Sequence, residues 1–118
     1  MTDLIACVSE GEKSLNHVAR LVEGEDWSKV FIVTNEKGRK NFKSAKDINF
    51  LIVDFEAPVF ELIENIRKNL YGRISDFEVA VNIVSGNGKE HMAILSALLK
   101  LGVGIRFVAL TKQGIKEL

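Results

Sequence analysis

Short runs of unbroken apolar residues alternate along this chain with stretches whose apolar residues recur at helical spacing. Residues 4–8 (Leu4, Ile5, Ala6, Cys7, Val8) are apolar throughout. Such a run suits a strand buried on both faces, because alternating side chains then meet two apolar environments. Residues 29–34, 48–53, 77–84 and 103–109 repeat the pattern, so five strands are predicted. Leu15, Val18, Ala19 and Val22 fall at i, i+3, i+4 and i+7, which predicts a helix over 14–23 capped by Ser14. Pro58 suits the first turn of a second helix, striped by Val59, Leu62, Ile63, Ile66 and Leu70 and ended by Gly72. A third helix is predicted over 90–101, closed by Gly102. The segment 35–47 holds too few apolar residues for a helical stripe and is expected to be a long loop, with room for one helical turn.

Apolar strands separated by helices predict a parallel sheet covered on both faces. Right-handed crossovers leave few topologies for it. The expected fold is α/β: one domain over residues 1–118, a Rossmann-like three-layer sandwich with a mostly parallel sheet of about five strands. One helix stands out. From Met92 to Leu101 only Ser96 and Lys100 are polar. A helix apolar nearly all round needs cover on more than one side. A homodimer through this helix is the expected cover, and helix 57–71 of the same chain is the alternative.

Composition narrows the function classes. With 47% hydrophobic and 27% charged residues, the chain is neither disordered nor fibrous. Sixteen basic residues balance sixteen acidic ones, which argues against a protein dedicated to coating nucleic acid. The single cysteine excludes a disulfide framework and a cysteine-based zinc site, and two histidines argue against a His-rich metal site. No metal and no cofactor are expected. No apolar run approaches the roughly 20 residues of a membrane span. No secretory signal is visible at the start, so a cytoplasmic protein is expected.

Ligands of open parallel sheets bind beyond the carboxyl ends of the strands, near the point where strand order reverses. Four loops qualify by position: 9–14, the segment from Thr34, 85–89 and 110–113. Ser85-Gly86-Asn87-Gly88-Lys89 is the sharpest of them. Two glycines permit close backbone approach, and the free N–H groups of a following helix suit an anion. Lys89 stands where the helix dipole disfavours a cation, a placement that a bound anion would explain. The loop is not a P-loop, since Ile83 occupies the first glycine position and Glu90 the Ser/Thr position. The dinucleotide fingerprint fails at His91, which would have to be glycine.

Asn82, inside an apolar strand, either faces a ligand or satisfies a neighbouring backbone group. Ser9 and Ser14 flank a loop able to cradle phosphate. Lys37, Arg39, Lys40, Lys43 and Lys46, interleaved with Phe42, form a basic segment with no acid from 37 to 46. They are candidate contacts for phosphate, RNA, DNA or an acidic protein partner. Catalytic sets are thin. Cys7 reads as an inert core thiol, His17 and His91 as surface residues without an acid–base partner, and Asp54 and Glu56 as capping residues. The balance favours binding over catalysis.

The stretch Val81-Asn82-Ile83-Val84-Ser85-Gly86-Asn87-Gly88-Lys89, followed by an apolar helix and Leu101-Gly102-Val103, resembles the CRISPR-associated Rossmann fold (CARF) domains. That family shows an Asn-containing strand, a Ser/Thr-Gly-Gly-Thr-Lys-like turn and a long apolar helix. The resemblance implies a homodimeric sensor of cyclic oligoadenylates in antiviral defence, with the ligand lying across the two-fold axis. By position, Ser85, Gly86, Gly88 and Lys89 would form the phosphate-contacting turn, with Asn82 before it and Asn87 within it. Ser9, Glu10 and Gly11 would form the first-strand loop. Asn87 and Gly88 stand where the family carries Gly-Thr, so one hydroxyl is missing. An effector, where there is one, would sit on a separate protein. Two further readings accompany this one. The chain is a scaffold or regulatory subunit acting through segment 37–46, or it cleaves a cyclic oligoadenylate without metal by positioning a ribose hydroxyl against its own phosphate.

Overall fold

The computed structural model of the chain describes residues 2–9 and 11–118. In chain order the elements are β1 (Asp3–Cys7), α1 (Glu12–Gly24), β2 (Val30–Thr34), α2 (Glu36–Asn41), β3 (Asn49–Ile52), α3 (Val59–Leu70), β4 (Glu78–Asn82), α4 (Gly88–Leu101), β5 (Gly104–Thr111) and β6 (Gly114–Glu117). They build an α/β fold on one sheet in the order β3-β2-β1-β4-β5-β6. Every pairing is parallel except β5 with β6. The order grows outward from β1 to β3 on one side and resumes at β4 on the other, so it reverses between β1 and β4.

The apolar runs lie where their chemistry requires. All five residues of β1 and of β2 are buried. Alternate strand residues divide between two cores. Ile5, Cys7, Phe31, Val33, Val79 and Val81 pack with Leu62, Ile66 and Leu70 of α3 and with Ala93, Ile94, Ala97 and Leu98 of α4. Leu4, Ala6, Ile32, Ala80 and Val108 pack with Val18, Leu21 and Val22 of α1. Each fully buried Leu, Ile or Phe contributes roughly 1.5–3 kcal/mol, so these clusters hold the strand register against a one-residue slip.

The structure corrects the expected fold in two places. The sheet has six strands among the described residues, not five. Residues 110–113, expected to be a loop at the carboxyl end of the fifth strand, instead finish β5 and turn the chain back into β6. The Thr111 hydroxyl donates to the Gly114 carbonyl at 2.8 Å and accepts from the Gln113 N–H at 3.1 Å. Gly114 takes φ +97°, a conformation open to glycine. Ile115 anchors the hairpin: a Cβ on Gly24 would lie 2.6 Å from its Cδ1.

The second correction is α2, six residues long, inside the segment read as a loop. Its stability is not amphipathic. Asn35 caps it, accepting from the Gly38 N–H at 2.9 Å. Gly38 rests so closely on the Thr34 side chain that any Cβ there would collide with the hydroxyl. Phe42, at its end, is buried edge-on against Phe50, with ring centroids 6.2 Å apart.

The apolar helix α4 is covered in part by α3, through the shared core of Ile94, Ala97 and Leu98 with Leu62, Ile63 and Ile66. That is the within-chain alternative to a second subunit. Met92 and Leu99, on its outer side, remain 65% and 69% exposed. No helix among the described residues is long and apolar enough to cross a membrane.

Candidate functional site

The loops after β1 and β4 meet where the strand order reverses. The Ser9 N–H donates to the Ser85 hydroxyl at 2.9 Å across that reversal. Ser85 is buried, and its carbonyl accepts from Nε2 of His91 at 2.8 Å. A carbonyl can only accept, so this His91 carries its proton on Nε2. His91 therefore serves the turn and not a free surface.

Gly86 follows at φ +106°. A Cβ there would lie 2.7 Å from Glu90 Oε1, 3.0 Å from His91 Nε2 and 3.1 Å from Cys7 Sγ. The glycine is required both by its backbone and by the packing beneath it. Asn87 caps α4. Its Oδ1 accepts from the Glu90 N–H at 3.0 Å, and Glu90 Oε1 accepts from the Asn87 N–H at 3.0 Å. This reciprocal pair satisfies two of the helix-end donors within the chain. The ammonium of Lys89 donates to the Phe55 carbonyl at 3.1 Å, tying α4 to the loop before α3. Gly88 has open space around its Cα.

Asn82 is the buried amide of β4, 1% exposed. Its Nδ2 donates to the Val108 carbonyl at 2.9 Å and to Nε2 of His17 at 3.2 Å, and its Oδ1 accepts from the Val84 N–H at 3.3 Å. Of the two roles open to it, the structure gives the satisfaction of neighbouring groups. The Leu110 N–H also approaches Nε2 of His17, at 3.4 Å. Two donors on one nitrogen put the His17 proton on Nδ1. His17, expected at the surface, is half-buried and links α1 to β4 and β5. Burial, and then the charge of Arg20, hold its pKa below the ordinary value.

The first loop is built differently from the sequence expectation. Gly11, at φ +80°, is the N-cap of α1, and among the described residues no side-chain hydrogen bond caps that helix end. Ser14 lies inside the first turn, and its hydroxyl donates to the Gly11 carbonyl at 3.1 Å. Glu10 lies outside the described residues. The Ser9 hydroxyl is buried without a hydrogen-bond partner.

Ser9 and Gly11 open onto a cleft of about 840 Å³ between α1 and α2. Its other walls include Asn16 of α1 and Lys37, Gly38 and Asn41 of α2. The cleft thus joins Ser9 and Gly11 of the first loop to Lys37 of the basic segment. The remaining basic residues scatter. Arg39 pairs with Glu36 at 3.6 Å, Lys40 is exposed, and Lys43 borders a separate hollow with Arg20 and Glu23. The turn 85–89 joins this site through the Ser9–Ser85 bond and does not line the cleft.

Among the described residues no three His, Cys, Asp or Glu side chains gather as a metal site. Burial, with the Glu90 carboxylate as a second cause, pushes the Cys7 thiol up to about 12, so it carries no thiolate near neutrality. Asp54 Oδ1 accepts from the Glu56 N–H at 2.9 Å, shaping the turn ahead of α3. Asn16 and Asn41 escape the sequence reading, as does the bridging role of His17, because their neighbours come from other elements and no local spacing marks them. No protein-family model matches the chain, and no curated protein matches it.

Proposed function

We propose that this chain is a ligand-sensing module that binds a phosphate-bearing nucleotide at the loops after β1 and β4. We read its architecture as the three-layer Rossmann-like sandwich of the CARF type, with a cyclic oligoadenylate as the first ligand to test. The observation that carries the reading is the Ser9–Ser85 hydrogen bond, 2.9 Å long, which couples these two loops at the reversal of strand order. Crevices at such a reversal are the usual ligand sites of open α/β sheets. The exposed Met92 and Leu99 on the outer side of α4 support a homodimer with the ligand at its two-fold axis. Binding, not catalysis, is the proposed activity, in a cytoplasmic CRISPR setting.

Equilibrium dialysis of labelled cyclic tetra- and hexa-adenylate against the native chain and Lys89→Glu tests this. Binding that the substitution weakens supports the turn 85–89 as part of the site. Binding that Lys89→Glu leaves intact removes that turn from it.

A second reading rests on the exposure of Arg39, Lys40, Lys43 and Lys46 in the basic segment. It makes the chain a regulatory subunit on RNA or DNA. Filter binding across a salt series would then show affinity falling steeply with salt, and absence of binding at low salt would end it.

A further inference from the structure

The cleft between α1 and α2 carries polar side chains from both helices. Its lining has a consistent chemistry. Among the described residues that border it, Lys37 is the only one with a formal charge. Its ammonium offers a counter-charge to an anion in the cleft. Asn16 and Asn41 add two carboxamides, each with two donors and one acceptor oxygen. Val8 and Leu15 supply apolar surface. The volume of about 840 Å³ lies in the range of small-molecule sites.

The shape of this cleft depends on one backbone contact. Gly38 lies against the Thr34 hydroxyl with no room for a side chain, which brings α2 down onto the end of β2. The Thr34 hydroxyl in turn donates to the Val8 carbonyl at 2.6 Å, fixing the first loop to the second. The α2 wall and the start of the first loop are therefore set by buried contacts and are formed before any ligand arrives. Asn41, at the end of α2, carries its amide on that fixed wall.

We propose that this cleft seats the base and phosphate of a single nucleotide unit within one protomer, with Lys37 on the phosphate and Asn16 and Asn41 reading the edge of the base. An anion, a heterocyclic edge of mixed donors and acceptors, and a flat apolar ring are the three parts such a lining accepts. A free inorganic phosphate would leave the amides and apolar wall unused. This rests on the nucleotide reading above for the ligand's class, and assigns the contacts to residues that reading does not use.

The test is residue-resolved NMR of the full chain titrated with AMP, with GMP, UMP and inorganic phosphate in parallel. The expected result is amide shifts at Leu15, Asn16, Lys37 and Gly38. Lys37→Glu then weakens AMP binding tenfold or more, and Asn41→Ala narrows the difference between AMP and GMP. Both substituted side chains are exposed, and unchanged thermal midpoints would show the fold intact. Shifts confined to residues 85–89, with affinity unchanged in Lys37→Glu, would overturn the cleft and leave the nucleotide reading standing. Phosphate binding as tightly as AMP would overturn the base-reading role. No nucleotide bound, mononucleotide or ring, would remove the cleft assignment and the nucleotide reading together.

Discussion

The backbone N–H of Ser9 and the hydroxyl of Ser85, 76 positions apart in the chain, are joined by a hydrogen bond of 2.9 Å at the reversal of strand order. The bond makes the loops after β1 and β4 one structure. Ser85→Ala leaves the Ser9 N–H without that acceptor. The expected cost is about 0.5–1.5 kcal/mol, the net worth of a single hydrogen bond at a part-buried position. Urea denaturation measures it, and a loss within experimental error would mean that the two loops are independent.

Two glycines of the same turn should respond oppositely to alanine. Gly86→Ala places a methyl 2.7 Å from Glu90 Oε1 in a backbone conformation of φ +106°. It should cost about 2 kcal/mol or more, from backbone strain together with the lost fit over Cys7. Gly88 meets nothing within 4 Å and begins α4. Gly88→Ala should be neutral or stabilising by about 0.5–1 kcal/mol, as glycine yields to alanine in a helix. Thermal unfolding of the two variants side by side checks the contrast.

Protonation of His17 should weaken the fold. Its Nε2 accepts from Asn82 and approaches the Leu110 N–H, and can do neither once protonated. Burial first, and Arg20 second, lower its folded-state pKa from the ordinary 6.5. The unfolded chain therefore takes up this proton more readily than the folded one. Its contribution to stability is complete above the unfolded value and is lost as pH falls from there through the lowered folded value. Stability measured across this window should drop toward acid, and His17→Gln should flatten the profile. An identical slope in both proteins would contradict the assigned hydrogen bonds.

Cys7 should be silent to thiol reagents in the native state. It is fully buried, and its pKa stands at about 12, raised by burial and then by Glu90. Labelling should proceed only at the rate of opening and become complete in denaturant. Fast labelling of the folded protein would mean that the floor beneath Gly86 is open.

The parts of this fold that are legible in the sequence are those whose own residues decide their state. β1 and β2 are buried throughout, so their apolar runs are unbroken. The stripe Leu62, Ile63, Ile66 and Leu70 lies on one side of α3 and is buried there. Gly102 ends α4 in the left-handed conformation, as its position foretold. What escaped depends on distant partners. α2 stands on a cap, a glycine contact and the Phe42–Phe50 pair, none of which has a helical period. β6 has one apolar anchor, Ile115, whose neighbour Gly24 lies far back in the chain. The same holds at the site. The turn 85–89 stands out by its glycines, whereas Asn16, Lys37 and Asn41 come together only when α2 settles onto Thr34.

Calorimetric titration of the purified chain with cyclic tetra- and hexa-adenylate tests the central claim most directly, with linear oligoadenylate and AMP alongside. The account predicts tight binding of one ring at one per two chains, lost or weakened in Ser85→Ala. No heat with any of these nucleotides would contradict it, leaving the α/β fold with a different class of partner.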